Sequence, residues 1–387
     1  MRTAVTGSTA AEAQQASFRQ CQPSSLFPVL AGLACWLPLL LFLLPGCGEF
    51  GRPHHRLVPG RLVYLEAEGG AAAAKWRLME MPGDGSCHQV TGYRDYNPGV
   101  LRVAPGGDTV VLLAAHGEAV YLVSLPNGTV VGVAAPKGYL FRESLACAPS
   151  GREIACAAGP EGHNPRPGAS LNLLVLINTE THSASILVGK TTALDGPTWS
   201  PDGHAIAFAT SNGIETIHPD GTARRRLVAS TVREGRGEAP SFPAWCPNGH
   251  TIALVGVSFP DGKTSLDTVD VNHKSQRSLD SCDFTTPMWS PDGRYLLYGK
   301  TDAQGIRRLA GIEFISGKQV DLSSKDSSLF GLSWSHDGKA LLALRADTGR
   351  TASVARLVVV AFPSGRETVL DTGRGLVGAG AWVQRPL

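Results

Sequence analysis

The sequence carries almost no excess of one charge. Thirty-five lysines and arginines stand against 33 aspartates and glutamates, which leaves a formal net charge of +2 over 387 residues. Nucleic-acid-binding domains concentrate basic residues on one surface, because phosphate contacts supply most of their affinity. The composition therefore predicts no nucleic-acid partner.

Familiar catalytic and metal-binding motifs are also missing. The sequence has no G-x-S-x-G nucleophile elbow, no H-E-x-x-H zinc motif and no C-x-x-C pair. His204 and His250 follow the glycine of a repeated turn. Other copies of that turn have at the same position Arg152, Arg294 and Lys339. We therefore interpret both histidines as exposed turn residues, and we expect a protein that is not an enzyme and that needs no metal or cofactor.

Long apolar stretches occur once, near the N-terminus. The run from Leu26 to Leu44 contains 19 residues without a charge, as an export signal or membrane anchor requires. It ends in Leu44-Pro45-Gly46-Cys47, which resembles a bacterial lipobox. We predict a signal peptide over 1–47, lipidation of Cys47, a linker over 48–59, and an exported, membrane-anchored protein facing the periplasm or the cell surface. An uncleaved signal anchor is the alternative.

Few cysteines remain after the signal region. Five lie downstream of Cys47, at positions 87, 147, 156, 246 and 282. An exported protein can form disulfides, but an odd number leaves at least one free thiol. Cys147 and Cys156 flank one tight turn, and whether they form a bridge stays open.

One short pattern recurs through the rest of the chain. Six copies of an apolar strand, a tight Gly-containing turn and a second apolar strand occur, as in "TWSPDGHAIAFAT" and "MWSPDGRYLLYGK". The residue before the turn is, in order, Val103, Cys147, Trp199, Trp245, Trp289 and Trp334. A spacing of roughly 45 residues is typical of four-stranded propeller blades. A seventh copy begins at Trp382 in "GAGAWVQRPL" and supplies only a first strand.

The turn chemistry and the flanking segments complete each blade. Proline presets φ, aspartate or asparagine bonds to the local backbone, and glycine adopts positive φ, so each copy makes a hairpin. A second hairpin follows, as in "AVYLVSLPNGTVVGV". Three strands, beginning at "GRLVYLEAE", precede the first full copy and lack an inner strand, which the Trp382 segment can provide. We predict an all-β, seven-bladed propeller of four-stranded antiparallel blades over 60–387, closed by the C-terminal strand; a six-bladed ring is the alternative.

These repeats resemble a known family. W-S-P-D-G before a β-rich strand, and G-I-x-x-x-x-x-D-G-x-x-R-R-R-L at 213–227, are similar to the TolB-like (WD-type) propeller repeats of bacterial envelope proteins. The resemblance covers 60–387 and implies a propeller in the cell envelope. TolB itself has six blades and an additional N-terminal domain, whereas the repeats here number seven.

The loops point to one face as the functional surface. The connections between the second and third strands of a blade, and between successive blades, include the long segments 159–170 and 230–242, and long loops on a rigid scaffold commonly bind ligands. We predict a non-enzymatic lipoprotein that binds a protein or peptide partner there. The alternative is a propeller enzyme, a glycan or peptide hydrolase or lyase, with Asp95, Glu143 and Asp283 in the central channel. The predicted partner-binding residues are aromatic and arginine residues of these connections: Tyr93, Arg94, Tyr96, Tyr139, Phe141, Arg142, Arg233, Arg236 and Phe284.

Overall fold

The computed structural model describes residues 60–67, 75–161, 171–192, 194–233, 235–323, 327–347, 355–370, 372 and 377–383. Within these ranges the chain forms 28 strands in seven four-stranded antiparallel sheets. The same ranges contain no helix that is long and apolar enough to cross a membrane. The predicted signal peptide, the lipid-bearing Cys47 and the linker lie outside the described residues.

The first four blades follow the chain from its N-terminal side. Blade 1 contains β1 Leu62–Ala67, β2 Trp76–Met81 and β3 His88–Gln89. Blade 2 contains β4 Tyr96–Val103, β5 Thr109–Ala114, β6 Ala119–Ser124 and β7 Val130–Ala134. Blade 3 contains β8 Tyr139–Cys147, β9 Glu153–Pro160, β10 Leu171–Asn178 and β11 Ser183–Thr192. Blade 4 contains β12 Asp195–Trp199, β13 Ile206–Thr210, β14 Gly213–Ile217 and β15 Arg225–Ala229.

The last three blades and the closing strand complete the ring. Blade 5 contains β16 Gly237–Trp245, β17 Thr251–Phe259, β18 Thr264–Asp270 and β19 Gln276–Ser281. Blade 6 contains β20 Met288–Trp289, β21 Tyr295–Thr301, β22 Arg307–Glu313 and β23 Gln319–Asp321. Blade 7 contains β24 Ser327–Trp334, β25 Ala340–Asp347, β26 Arg356–Ala361 and β27 Arg366–Val369. Strand β28, Val377–Trp382, then returns to blade 1.

Strand β28 closes the ring by pairing with β1. The two strands are antiparallel, with Leu62 opposite Trp382 and Tyr64 opposite Gly380, and the order in this sheet is β28-β1-β2-β3. Both chain ends therefore contribute to blade 1. The predicted seven blades and their closure are confirmed, and the six-bladed alternative is wrong.

The hydrophobic core is divided among the seams between blades. Within the described ranges seven buried clusters occur, one between each pair of neighbouring blades, including the seam between blades 7 and 1. Trp199 and Trp289 lie in these seams and donate their indole N–H to the carbonyl oxygens of Ala146 and Ala244, at 3.1 and 3.0 Å. Each acceptor belongs to the inner strand of the preceding blade. A large ring with one polar atom thus packs a seam and links two blades.

The repeated Ser-Pro-Asp-Gly turn is held by one small hydrogen-bond network. The Ser200 hydroxyl donates to Asp202 Oδ1 at 2.5 Å and accepts the Ala205 amide at 2.9 Å. The same arrangement recurs at Ser290–Asp292 and Ser335–Asp337. The Ser200 hydroxyl, with the His204 amide, lowers the pKa of the Asp202 carboxyl. The side chains of the turn therefore bond to their own backbone, as the turn chemistry predicts.

Candidate functional site at the mouth of the channel

The two faces of the disc differ in their connections. We call the face with the first-to-second and third-to-fourth strand turns of each blade the short-turn face. The opposite face, with the second-to-third strand loops and the connections between blades, is the long-loop face. The innermost strands, β4, β8, β12, β16, β20, β24 and β28, run from the long-loop face toward the short-turn face.

Several inner strands break their pairing near the long-loop face. The register of β8 with β9 shifts between Phe141 and Leu145, and that of β12 with β13 shifts between Asp195 and Thr198. Corresponding shifts occur in β4, β16 and β24. A bulge turns extra side chains away from the regular ladder. Five of the inner strands therefore carry side chains that the regular ladder does not hold.

Two carboxyl groups occupy equivalent positions on the inner strands of neighbouring blades: Glu143 lies within the bulge of β8, and Asp195, which pairs with Ala209, directly precedes the bulge of β12. Glu143 stands four residues before Cys147, and Asp195 stands four residues before Trp199. The next two blades have hydroxyl side chains, Ser241 and Thr285, at that position. The repeat therefore has two acids and then two hydroxyl groups at this position of four successive blades.

Glu143 is linked to blade 2 and is exposed at the mouth. Its Oε1 accepts a hydrogen bond from Asn97 Nδ2 at 3.0 Å. Crowding by protein atoms raises the pKa of the Glu143 carboxyl, the Asn97 amide opposes this, and the nearby Asp195 carboxylate raises the pKa further. A like charge nearby and partial desolvation both favour the protonated acid.

Asp195 is linked to blade 3 and is half-buried. Its Oδ1 accepts a short hydrogen bond from the Ser144 hydroxyl and another, at 2.7 Å, from the Gly196 amide. Burial raises the pKa of the Asp195 carboxyl, and these two donors only partly offset it. Two neighbouring acids with raised pKa values are the type of pair that general acid–base chemistry uses.

The other two acids of the predicted channel set lie elsewhere. Asp95 is exposed, and its backbone carbonyl accepts the Ala115 amide of the same blade at 2.8 Å. Asp283 accepts hydrogen bonds from the amide and hydroxyl of Thr301 at 2.9 and 3.1 Å, and its Oδ2 lies 3.4 Å from Arg307 Nε. Asp283 therefore holds blade 6 together. Of the three predicted acids only Glu143 belongs to the pair, and its companion Asp195 was missed.

Two of the nine predicted partner-binding residues are buried. Tyr96 is 1% exposed in the seam between blades 1 and 2, and Phe141 is 3% exposed in the seam between blades 2 and 3. The segments predicted as connections are partly inner strand, because β4 begins at Tyr96 and β8 begins at Tyr139. Phe141 and Tyr96 therefore pack the seams, and neither ring is accessible to a partner.

The remaining seven reach the surface around the rim. Arg77 places its guanidinium 5.0 Å from the centre of the Tyr93 ring. Arg233 and Arg236 face each other across a tight hairpin, with reciprocal amide-to-carbonyl bonds of 2.7 and 2.9 Å. These residues are distributed over blades 1 to 6 and do not form one cluster: Tyr93, Arg94, Tyr139, Arg142, Arg233, Arg236 and Phe284. Of the predicted long loop 159–170, residues 162–170 lie outside the described ranges.

The cysteines and possible metal ligands add no further site. Cys147 and Cys156 form no bridge in the described part of the chain, and both carry free thiols, as do Cys246 and Cys282. Burial raises the pKa of the Cys147 thiol to about 12, so it stays protonated and unreactive. Across the part of the chain that the structure describes, no group of three or more His, Cys, Asp or Glu residues lies together as a metal site requires.

No protein-family model and no curated protein match the chain. Among solved structures, an oligogalacturonate lyase in complex with manganese aligns with a TM-score of 0.59 at 16% identity, over 70% of this chain and 79% of the lyase. A puromycin hydrolase aligns with a TM-score of 0.61 at 17% identity, over 84% of this chain. The alignment spans 54% of the hydrolase, about half of its length. TolB from Acinetobacter baumannii aligns with a TM-score of 0.48 at 16% identity, over 84% of this chain and 66% of TolB.

These comparisons establish the fold and correct one prediction. TolB is among the solved structures with a related fold, in agreement with the resemblance of the repeats. The expectation that the chain is not an enzyme is wrong, because the solved structures with this fold include a lyase and a hydrolase. Lacking the common motifs excludes only the chemistry of those motifs.

Proposed function

We propose that this chain is a propeller enzyme that acts on a glycan or a peptide at the channel mouth of the long-loop face. The observation that supports this most is the pair Glu143 and Asp195. The two acids stand on adjacent inner strands, each is hydrogen-bonded across a seam, and each has a raised carboxyl pKa. The enzymes that share the fold add support at the level of the scaffold.

The environments of the two acids suggest their roles. Asp195 is the more buried carboxyl, and burial favours its protonated form, so we assign it the role of the acid that donates a proton to the leaving oxygen or nitrogen. Glu143 is exposed, and its carboxylate takes a proton. In hydrolysis that proton comes from the water whose oxygen attacks as the scissile bond breaks. In an elimination it comes from carbon, and the electron pair forms a double bond as the leaving group departs.

Asn97 and Ser144 position the acids. Asn97 is 8% exposed, and its amide fixes the Glu143 carboxylate from blade 2. Ser144 aligns Asp195 from blade 3. Each contact crosses a seam between two blades of the propeller, so a side chain of the preceding blade fixes the position of each carboxyl group.

The location and the macromolecular contacts form part of the same proposal. A lipid on Cys47 would keep the propeller outside the cytoplasm at a membrane, where polymeric glycans and peptides occur. The exposed hairpin with Arg233 and Arg236 lies on the same face as the acids and would contact a protein, peptide or polymer beyond the bond that is cleaved.

The test is turnover by conservative variants. The full-length protein is assayed on panels of polysaccharides and peptides, with detection of new reducing ends, unsaturated products and free amines. We expect Glu143→Gln and Asp195→Asn each to lower kcat/KM by about 10²- to 10⁴-fold, as the loss of acid–base groups does. Asp95→Asn is the matched control, because Asp95 is exposed on the same face. Full activity in Glu143→Gln, or no turnover of any glycan or peptide by the wild type, would refute the proposal.

A further inference from the structure

Two phenylalanines form a ring pair beside the acids. Phe242 lies in the bulge of β16, with a φ of 49°, and Phe284 precedes β20 on the long-loop face. Their ring centres are 4.6 Å apart at an interplanar angle of 73°. Edge-to-face contact fixes the orientation of both rings.

The ring pair continues the arc that begins at the carboxyl groups. Gly196 follows Asp195, and a Cβ built on Gly196 would lie 3.0 Å from Pro243 Cδ and 3.2 Å from Phe242 Cα. The backbone after Asp195 is therefore in contact with the blade that presents Phe242. The acid pair of blades 3 and 4 and the ring pair of blades 5 and 6 are thus joined by the contact between Gly196 and the bulge of β16, and we call the long-loop side of these four blades the wall.

Phe284 is the accessible member of this pair. Four large hydrophobic side chains are strongly exposed within the described ranges. Three of them are aliphatic and lie on outer strands or on a turn of the short-turn face: Ile186, Ile315 and Val369. The aromatic one, Phe284 with 41% exposure, lies on the long-loop face. An exposed aromatic ring that a half-buried one supports is typical of a binding platform.

The surroundings of the platform favour an uncharged ring as its ligand. The adjacent cation Arg307 already contacts Asp283 and stacks on Phe330, with its guanidinium 4.9 Å from that ring centre. Next to Phe284 in the chain stand Thr285 and Thr286. The wall thus combines the apolar face of Phe284 with the hydroxyl groups of Thr285 and Thr286 and the carboxyl group of Asp283 next to it in the chain.

We propose that Phe284, supported by Phe242, is a subsite that stacks on a pyranose ring next to the bond that Glu143 and Asp195 act on. This inference rests on the proposed function and selects a glycan as its substrate class. A pyranose has an apolar C–H face for the aromatic ring, and its equatorial hydroxyls need donors and acceptors around the edge. A peptide backbone has no comparable flat apolar face.

The experiment measures binding and turnover of short oligosaccharides of glucose, N-acetylglucosamine and galactose by the full-length protein. We expect Phe284→Ala to weaken binding about tenfold, the loss expected for one aromatic stacking contact. Phe284→Trp should retain binding. Ile315→Ala is the matched control, because Ile315 is 88% exposed on the opposite face. An unchanged melting temperature of Phe284→Ala shows that the ring pair is not needed for folding.

The outcomes separate this inference from the proposed function. Loss of binding and a raised KM in Phe284→Ala, with kcat retained, support the subsite. Equal binding by wild type and Phe284→Ala, or no binding of any of these oligosaccharides, overturns it. Turnover of a peptide that depends on Glu143 but not on Phe284 also overturns it, and leaves the acid–base proposal intact.

Discussion

Replacement of Trp382 tests how much the closing strand contributes to the ring. Trp382 is 4% exposed and packs in the seam between blades 7 and 1, against residues such as Tyr64 and Leu342. Trp382→Ala removes this packing and leaves a cavity, which should lower the free energy of unfolding by about 3–5 kcal/mol. The same substitution also loosens the pairing of β28 with β1.

Comparison with Trp199 refines the magnitude. In the described part of the chain the buried Trp382 Nε1 has no hydrogen-bond partner, whereas Trp199 Nε1 donates to Ala146 O at 3.1 Å. A change to phenylalanine shrinks both rings alike, but only Trp199→Phe leaves a carbonyl without its donor. Trp199→Phe should therefore cost about 1 kcal/mol more than Trp382→Phe.

Urea denaturation followed by far-ultraviolet circular dichroism measures both effects, because this signal does not depend on the replaced indole. The unfolding midpoints of the variants are compared at an unchanged slope. The reasoning is refuted if Trp382→Ala loses less than about 1 kcal/mol, or if the two phenylalanine variants are equally stable.

Three further results are expected. Asn97→Ala should raise the pKa of Glu143, because the Asn97 amide stabilises the Glu143 carboxylate in the wild type and the variant lacks it. The acid limb of the pH–activity profile then moves to higher pH. An acid limb at the same pH in both proteins would argue against the contact. Glu143→Gln should raise the melting temperature at neutral pH. The folded state raises the pKa of the Glu143 carboxyl, so this group stabilises the fold below its unfolded-state pKa and loses that contribution as the pH rises through its folded-state pKa, whereas the neutral Gln side chain does not titrate. A lower melting temperature of the variant would contradict this. Gly213→Ala should destabilise the fold severely, because Gly213 has a φ of +123° and a Cβ there would lie 1.9 Å from Val228 O. Gly92→Ala is the control, since no atom lies within 4 Å of the new Cβ, and its melting temperature should equal that of the wild type.

The seven-bladed propeller was predictable because each blade repeats the same short sequence pattern. Each turn carries its own Pro, Asp or Asn and Gly, and the tryptophan before it lies in a seam, as at Trp199 and Trp289. The boundary between connections and inner strands was harder to predict. Asn97-Pro98-Gly99 has the composition of a loop, yet it lies within β4, where a bulge accommodates residues that a regular ladder excludes.

The candidate site was only half predictable. Glu143 and Asp195 are 52 residues apart and approach each other only because the ring makes their blades neighbours. Their equivalent position, four residues before the end of the inner strand, was visible in the aligned repeats. Asp195 was missed because it stands directly against Gly196 and Pro197, which resemble a connection between strands.

The position of β1 inside its sheet has a mechanical consequence. Strand β1 pairs with β28 on one side and with β2 on the other, so the strand that follows the N-terminal segment is not at a sheet edge. A pulling force that enters through the residues before Leu62 acts along β1 and shears two ladders of hydrogen bonds at once. The same force applied at β28 would load a single ladder. A tether at the N-terminal side is thus the stronger of the two attachment points for this ring.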